Sequence, residues 1–399
     1  MTTSNIVLID SIDCDQLLPI TYIRPVSHIR LGYLSIREKW EHYSKQIVQI
    51  LSKSEFGLNS NLDNNQAVLG IHAGLLPDEA IILQIQELKE GDVLISQDHE
   101  ILAAKSSFEK IQDLFKQGKF ERGIFVKTEA KLIKNLWDII DAQLNQIELD
   151  ITLLISGRTS ANIDPSVRII GDPSKVFLES GAKVYNCSIN TQSGSVYIAK
   201  DAEVMEGAMI RGPFALGEHS QVKMGAKIYP GVATGQHCKI GGEIGNTVFQ
   251  EYSNKGHDGY LGDSFIGSWC NMGADTNSSN LKNNYSEVKL WSYPARRFVS
   301  TGKQFCGLIM GDHSKCGINT MFNTGTVVGV SCNIFGDGFP RNFIPSFSWG
   351  GASGFTGFAV NKAIEASNAM MGRRGVQLSE NDKTLFQSIW EADSEWRKS

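Results

Sequence analysis

A repeat of six residues constrains this chain more than any other feature. Ile198, Val204, Ile210, Leu216, Val222, Ile228, Thr234 and Ile240 fall at a strict six-residue interval, and Ala202, Ala208, Ser220, Ala226 and Cys238 keep step four places later. A second array runs through Met310, Cys316, Phe322, Val328 and Ile334, with Gly311, Gly317 and Gly329 directly after. An α-helix cannot hold one face at that period, because each step would rotate the residue by about 240°. A coil of parallel strands can. Three hexapeptides make one turn of a triangular prism, and the next turn stacks about 4.8 Å above it. The large aliphatic residue points inward, the small one eases the turn, and Gly or Asn is expected where a corner needs positive φ. A left-handed parallel β-helix is therefore expected.

The arrays break between about Glu243 and Leu308. Leu261-Gly262, Ile266-Gly267 and Met272-Gly273 keep the pattern there, and loops are expected around Glu251 to Asp258 and Asn277 to Lys303. Loops on a rigid solenoid are where binding chemistry tends to sit, and such prisms commonly trimerise, leaving clefts between subunits. Before the solenoid, Asn5 to Ile9, Ile47 to Leu51, Ala67 to Leu69 and Val93 to Ser96 read as strands, and Leu34 to Tyr43 and Leu132 to Ile147 as helices. Together they suggest a layered α/β, Rossmann-like domain. After the solenoid, Asn361 to Met371 and Ser379 to Trp396 read as helices, the second opened by Ser379 and Asp382 and striped by Leu385, Phe386, Ile389 and Trp390. The expected division is 1–155, a shortened α/β domain, 156–345, the solenoid, and 346–399, a helical tail.

The net charge of −5 includes no run of Lys and Arg, which argues against a nucleic-acid partner. Met1 to Asp10 lacks the pattern of a leader, and no uninterrupted apolar stretch of roughly 18 residues occurs, so a soluble, cytoplasmic protein is expected. Seven cysteines with no CxxC pair suggest reduced, mostly buried thiols rather than disulfides or a zinc site. His219 and His237, 18 residues apart, should stack on one outward face, but with His257 they lack the spacing of a shared zinc site.

His257 lies in the string Asn254-Lys255-Gly256-His257-Asp258-Gly259-Tyr260-Leu261-Gly262-Asp263. An imidazole at a cleft can take a proton from an amine or hydroxyl as it attacks a thioester, while nearby donors stabilise the oxyanion. His257-x-x-Tyr260-Leu261-Gly262-Asp263, Ile266-Gly267, Asn271-Met272-Gly273-Ala274-x-Thr276 and Asn280 together resemble the acetyltransferase domain of a bifunctional family, the N-acetylglucosamine-1-phosphate uridyltransferases and glucosamine-1-phosphate acetyltransferases. Leu17-Leu18-Pro19-Ile20-Thr21, Arg24-Pro25-Val26, Arg30, Ile36-Arg37-Glu38-Lys39-Trp40 and Phe305-Cys306-Gly307-Leu308-Ile309-Met310-Gly311-Asp312-His313 are similar to the variant of that family found in the Bacteroidetes lineage, often labelled a sugar-1-phosphate nucleotidyltransferase.

That resemblance implies His257 as the base that deprotonates the glucosamine amine, and Asn280 as the residue that orients the reacting groups. It implies Tyr260 and Asn271 on the sugar phosphate, and the backbone near Ala274 on acetyl-CoA, with His313 a further candidate for the acyl-donor site. Asn271 and Asn280 equally suit β-helix corners, and Tyr260 suits packing between coils. It further implies a homotrimer and a role in nucleotide-sugar and cell-envelope biosynthesis. Where the family has Arg-Pro-Gly and a downstream Lys to grip phosphate, this chain has Tyr229-Pro230-Gly231 and Gly245. Arg211, Lys223, Lys227 and Lys255 are the cations available instead, each also readable as an ordinary surface charge.

The N-terminal strand leads into Asp10-Ser11-Ile12-Asp13-Cys14, without the Gly-rich loop that cradles nucleotide phosphates. If this domain transfers a nucleotidyl group from a nucleoside triphosphate, Arg24, Arg30 and Lys39 are its candidate cations, and Asp10, Asp92 and Asp98 its candidate Mg²⁺ ligands. Two alternatives stand beside the acetyltransferase reading. One is a nucleotidyltransferase for another sugar-1-phosphate, such as a glucose-1-phosphate thymidylyltransferase, with the solenoid as scaffold; the other is a non-catalytic regulatory trimer.

Overall fold

The computed structural model describes residues 5–53, 56 and 62–397, so Met1 to Ser4 of the opening stretch lie outside the described residues. Two compact units divide the chain: Met1–Ile29 with Leu34–Asp138, and Arg30–Tyr33 with Ile139–Ser399.

The first unit is built on a six-stranded sheet of β1 (Asn5–Ile9), β2 (Gln49–Leu51), β3 (Ala67–His72), β4 (Val93–Ile95), β5 (Ile101–Ser107) and β6 (Ile124–Phe125). Their order is β2-β1-β3-β5-β4-β6, with β1 parallel to both neighbours and β5 antiparallel to β3 and β4. Val7, Ile9 and Val68 form a core with Phe108, Ile111 and Phe115 of the helix Phe108–Gln117. The helix Ile36–Ser44 starts on a reciprocal cap, in which Ser35 Oγ accepts from the Glu38 amide and the Glu38 carboxylate accepts from that of Ser35. It buries Trp40, whose indole N–H donates to the Leu75 carbonyl at 2.8 Å. The long helix Leu136–Ile155 runs across the division at Asp138, earlier than the boundary expected near residue 155.

The second unit is a parallel β-solenoid. Its inward columns follow the six-residue rule: Ile198 pairs with Leu216, Val204 with Val222, Val222 with Ile240, and Ile210 with Ile228. All eight large positions of the first array are no more than 2% exposed. One corner of each coil needs a left-handed residue, and Asp201, His219, His237, Tyr252, Trp269, His313, Ser331 and Phe347 take it, with φ between 54 and 62°. That departs from the Gly or Asn expected at corners. The physical reason is visible in the rings: His219 stacks on His237 at 4.8 Å, His237 on Tyr252 at 5.1 Å and Tyr252 on Trp269 at 4.1 Å. Aromatic stacking between coils offsets the backbone cost of a side chain at positive φ.

The expected loop at Glu251 to Asp258 is instead a shortened coil. Asn254–Lys255 is a strand in register with Lys239–Ile240, so Lys255 follows Ile240 in an inward column that continues through Met272, Cys316 and Ile334. The true excursion carries an antiparallel hairpin, Lys289–Ser292 with Arg297–Ser300. The tail forms the helices Val360–Gly372, Glu380–Ala392 and Ser394–Arg397, the last two parted at Asp393, whose carboxylate accepts from the Ser346 amide at 2.9 Å. Among the described residues no helix is long and apolar enough to cross a membrane, and all seven cysteines are free, six of them buried.

Candidate active site

His257 stands exposed at the corner between the strands Asn254–Lys255 and Tyr260–Ile266. Two glycines let the corner pack. A Cβ at Gly242, φ 78°, would meet the carbonyl oxygens of Gly259 and His257 at 2.7 and 2.8 Å, and one at Gly259, φ 110°, would meet that of Thr276 at 2.1 Å. The backbone path beneath the imidazole is thus fixed by close contact on two sides.

Tyr260, at the start of the strand that follows, meets Asn280. The Asn280 amide nitrogen donates to the Tyr260 hydroxyl at 3.0 Å and to the Asp263 carboxylate at 2.6 Å, and the other Asp263 oxygen accepts from Asn246 at 2.7 Å. A carboxylate only accepts, so the nitrogen end of Asn280 must face Asp263, leaving the carbonyl end as the acceptor for anything else. Burial and the Asp263 carboxylate raise the Tyr260 phenol above its ordinary range, so it stays protonated. The sequence shows Asp263 only as part of a motif; its role as the clamp on Asn280 needs the fold, because the two lie on different coils.

The outward face below Tyr260 is smooth. Gly245 pairs with Gly262, and Tyr229 lies against Gly245 on the preceding coil. Arg211 and Lys227 line a cavity on this face with Ile170, Asn190, Met209 and Tyr229. Lys223 runs along another face, its stem within van der Waals reach of a Cβ placed at Gly256. Asn271 is exposed on the strand that pairs with Asn254, and Ala274 accepts from the Asn319 amide at 2.8 Å.

Two expected binders are placed otherwise. Lys255 is 1% exposed, inside the solenoid, and so cannot serve as a surface cation for phosphate. His313 is 4% exposed, with Phe386 of the tail edge-on to its ring at 5.2 Å, so it is neither a solvent corner nor open to an acyl donor.

The N-terminal candidates fare differently again. Lys39 is 1% and Arg24 9% exposed, both buried, and Arg30 belongs to the second unit, where its guanidinium pairs with Glu251 at 2.7 Å. Beyond β1, where a Gly-rich loop would stand, the chain forms a short 3₁₀ helix, Ile12–Leu17, capped by Ser11. Asp10 is enclosed there, accepts from the Val26 amide at 3.1 Å, and burial pushes its carboxyl up to about 7. His72, at the end of β3, contacts Ser11 Oγ through Nε2 at 2.8 Å and accepts from the Gly74 amide at Nδ1 at 3.0 Å; burial pulls it down to about 4. Its proton therefore sits on Nε2, facing the serine, so it cannot act as a base toward Ser11. Asp92 caps a turn by accepting from the Lys89 amide, and Asp98 occupies a separate turn after β4. No cluster of three possible metal ligands occurs among the described residues. The Mg²⁺ candidates do not fit one ion.

A bifunctional sugar-1-phosphate nucleotidylyltransferase/acetyltransferase of Sulfurisphaera tokodaii is 29% identical over 201 residues, covering 50% of this chain and 43% of that protein. The bifunctional protein GlmU of Methanocaldococcus jannaschii is 36% identical over 90 residues, covering 23% and 21%. The chain thus spans less than half the length of either relative. Among solved structures, the UDP-N-acetylglucosamine acyltransferase LpxA of Bacteroides fragilis matches with 16% identity and a TM-score of 0.27, covering 59% of this chain and 84% of that one. Residues 6–159 match the family model for sugar nucleotidyl transferases.

Proposed function

We propose that the solenoid is an acetyl-CoA-dependent N-acetyltransferase whose acceptor is the amine of glucosamine-1-phosphate, on the way to UDP-N-acetylglucosamine. The observation that carries this reading is the exposed His257 imidazole at a backbone-fixed corner whose next strand opens with Tyr260, part of a Tyr260–Asn280–Asp263 cluster. In the reaction the amine nitrogen forms a bond to the thioester carbonyl carbon, His257 accepts the proton that nitrogen loses, and the carbon–sulfur bond breaks to release CoA. The Asn280 carbonyl accepts from the attacking amine and holds its lone pair on line. Tyr260 and Asn271 bind the sugar, backbone near Ala274 meets the acetyl group, and Arg211, Lys223 and Lys227 are the cations left for phosphate. The working form is a homotrimer in the cytoplasm, with the imidazole in a crevice shared by adjoining protomers.

The test is release of free thiol from acetyl-CoA. Glucosamine-1-phosphate should support it, and N-acetylglucosamine-1-phosphate, whose amine is blocked, should not. Equal release with both would mean hydrolysis rather than transfer, and none with either would contradict the substrate.

A second reading, uridylyl transfer by the N-terminal domain, is favoured by the family match over residues 6–159. The buried cations and scattered carboxylates at its strand ends weigh against it. Pyrophosphate release from UTP with N-acetylglucosamine-1-phosphate and Mg²⁺ tests it.

A further inference from the structure

We infer that Lys255 is a positioning residue for His257, acting from inside the solenoid on the backbone of the corner that carries the imidazole. The inference rests on the reading of His257 as proton acceptor.

Lys255 is the one cation in a column otherwise made of Val184, Val204, Val222, Ile240, Met272, Cys316, Ile334 and Gly350. Its stem fills the place an aliphatic side chain would take. Its ammonium donates to the carbonyls of His257 at 2.6 Å, Asp258 at 2.9 Å and Gly241 at 3.4 Å. An ammonium has three donors, and here three acceptors meet them. Two belong to the residue that bears the imidazole and its neighbour; the third belongs to the coil beneath. The charge therefore ties the corner to the preceding coil from the side opposite to solvent.

Stability alone gives no reason for a lysine here. Enclosing a charge costs free energy that well-made hydrogen bonds only offset, and apolar residues of similar volume often do as well or better. Met272 fills the next position of the same column without that cost. Burial pulls the Lys255 ammonium down to about 8, with Asp258 and Asp275 opposing that shift, so it is still largely charged at neutral pH. What the lysine adds over methionine is three charge-assisted bonds aimed at one corner. Placement of a reacting group matters steeply: a displacement of about 1 Å can cost about 10²-fold in rate.

The experiment compares Lys255→Met and His257→Ala with the wild type in the full-length chain, reading kcat and KM for CoA release, thermal unfolding and hydrogen exchange. For Lys255→Met we expect kcat to fall about 10- to 10²-fold, KM for the amino sugar to hold, the unfolding midpoint to stay level or rise, and the amides of Gly256 to Gly259 to exchange faster. Should the methionine variant not fold, Lys255→Gln, which keeps a neutral donor, carries the same readouts, with a smaller loss of kcat expected. Wild-type kcat in Lys255→Met beside an inactive His257→Ala overturns the positioning role alone. So does a loss of activity that merely follows a lowered unfolding midpoint. Full activity in His257→Ala overturns the proton-acceptor reading and the positioning role with it.

Discussion

At the strand ends of the N-terminal unit, His72 is enclosed and bonded at both ring nitrogens, whereas at the solenoid corner His257 stands exposed on a backbone held from within. The lysines differ in the same sense. Lys39 is lost from the surface in a helix of the first unit, while Lys255, equally buried, spends its three donors on the corner beneath the imidazole. A buried polar group is therefore not informative by its burial. What matters is whether its bonds close on themselves, as those of His72 do, or orient a neighbouring group that faces solvent.

Three measurements bear on this contrast. The largest effect is expected for Phe115→Ala, which empties a position 2% exposed in the N-terminal core. It should cost about 3–5 kcal/mol in the unfolding of that unit, yet leave thiol release intact; loss of both would mean the solenoid's chemistry depends on the first unit. Next, Gly259→Ala places a Cβ 2.1 Å from the Thr276 carbonyl at a φ of 110°. The corner must move, and thiol release should fall about 10²-fold, against little change for Lys183→Ala at an exposed solenoid position.

The smallest effect concerns pH and the enclosed pair in the first unit. Folded Asp10 holds its proton up to about pH 7, against 3.8 for the unfolded chain, so over that window its contribution to stability falls as pH rises. Folded His72 has given up its proton above about pH 4, against 6.5 unfolded, so its contribution rises with pH over that window. From about pH 4 to 6.5 the two oppose each other. Asp10→Asn should leave the rising limb and His72→Gln the falling one, each moving the unit's unfolding midpoint by about 5 °C across the window. Parallel profiles in the two variants would show that the pair is not enclosed as described.

Much of the solenoid was legible in the sequence because a period of six in large aliphatics has one structural explanation, and every position of both arrays is buried. The coil that carries the candidate site was not. Ile240 pairs with Lys255, 15 positions on, where Val222 pairs with Ile240 at 18, and a lysine stands where the pattern expects an aliphatic. Length and chemistry both break at the one coil where function is proposed, so the pattern read it as a loop. The stack of His219 on His237 follows from their spacing of 18, whereas its continuation through Tyr252 and Trp269 at positive φ does not, because φ preference is local and stacking between coils is not. Arg24 and Lys39 as candidate nucleotide-binding cations, and Lys255 as a candidate phosphate cation, all turn out buried, because spacing carries no sign of burial for a charged residue. His257, Tyr260 and Asn280 came from a motif, and the fold adds Asp263, which joins Asn280 to the coil below.

The most direct measurement is the thiol-release rate of His257→Asn with acetyl-CoA and glucosamine-1-phosphate. A ring that accepts the amine proton predicts a rate lower by about 10²- to 10⁴-fold, with the KM for acetyl-CoA unchanged. A variant that keeps the wild-type rate would contradict the account.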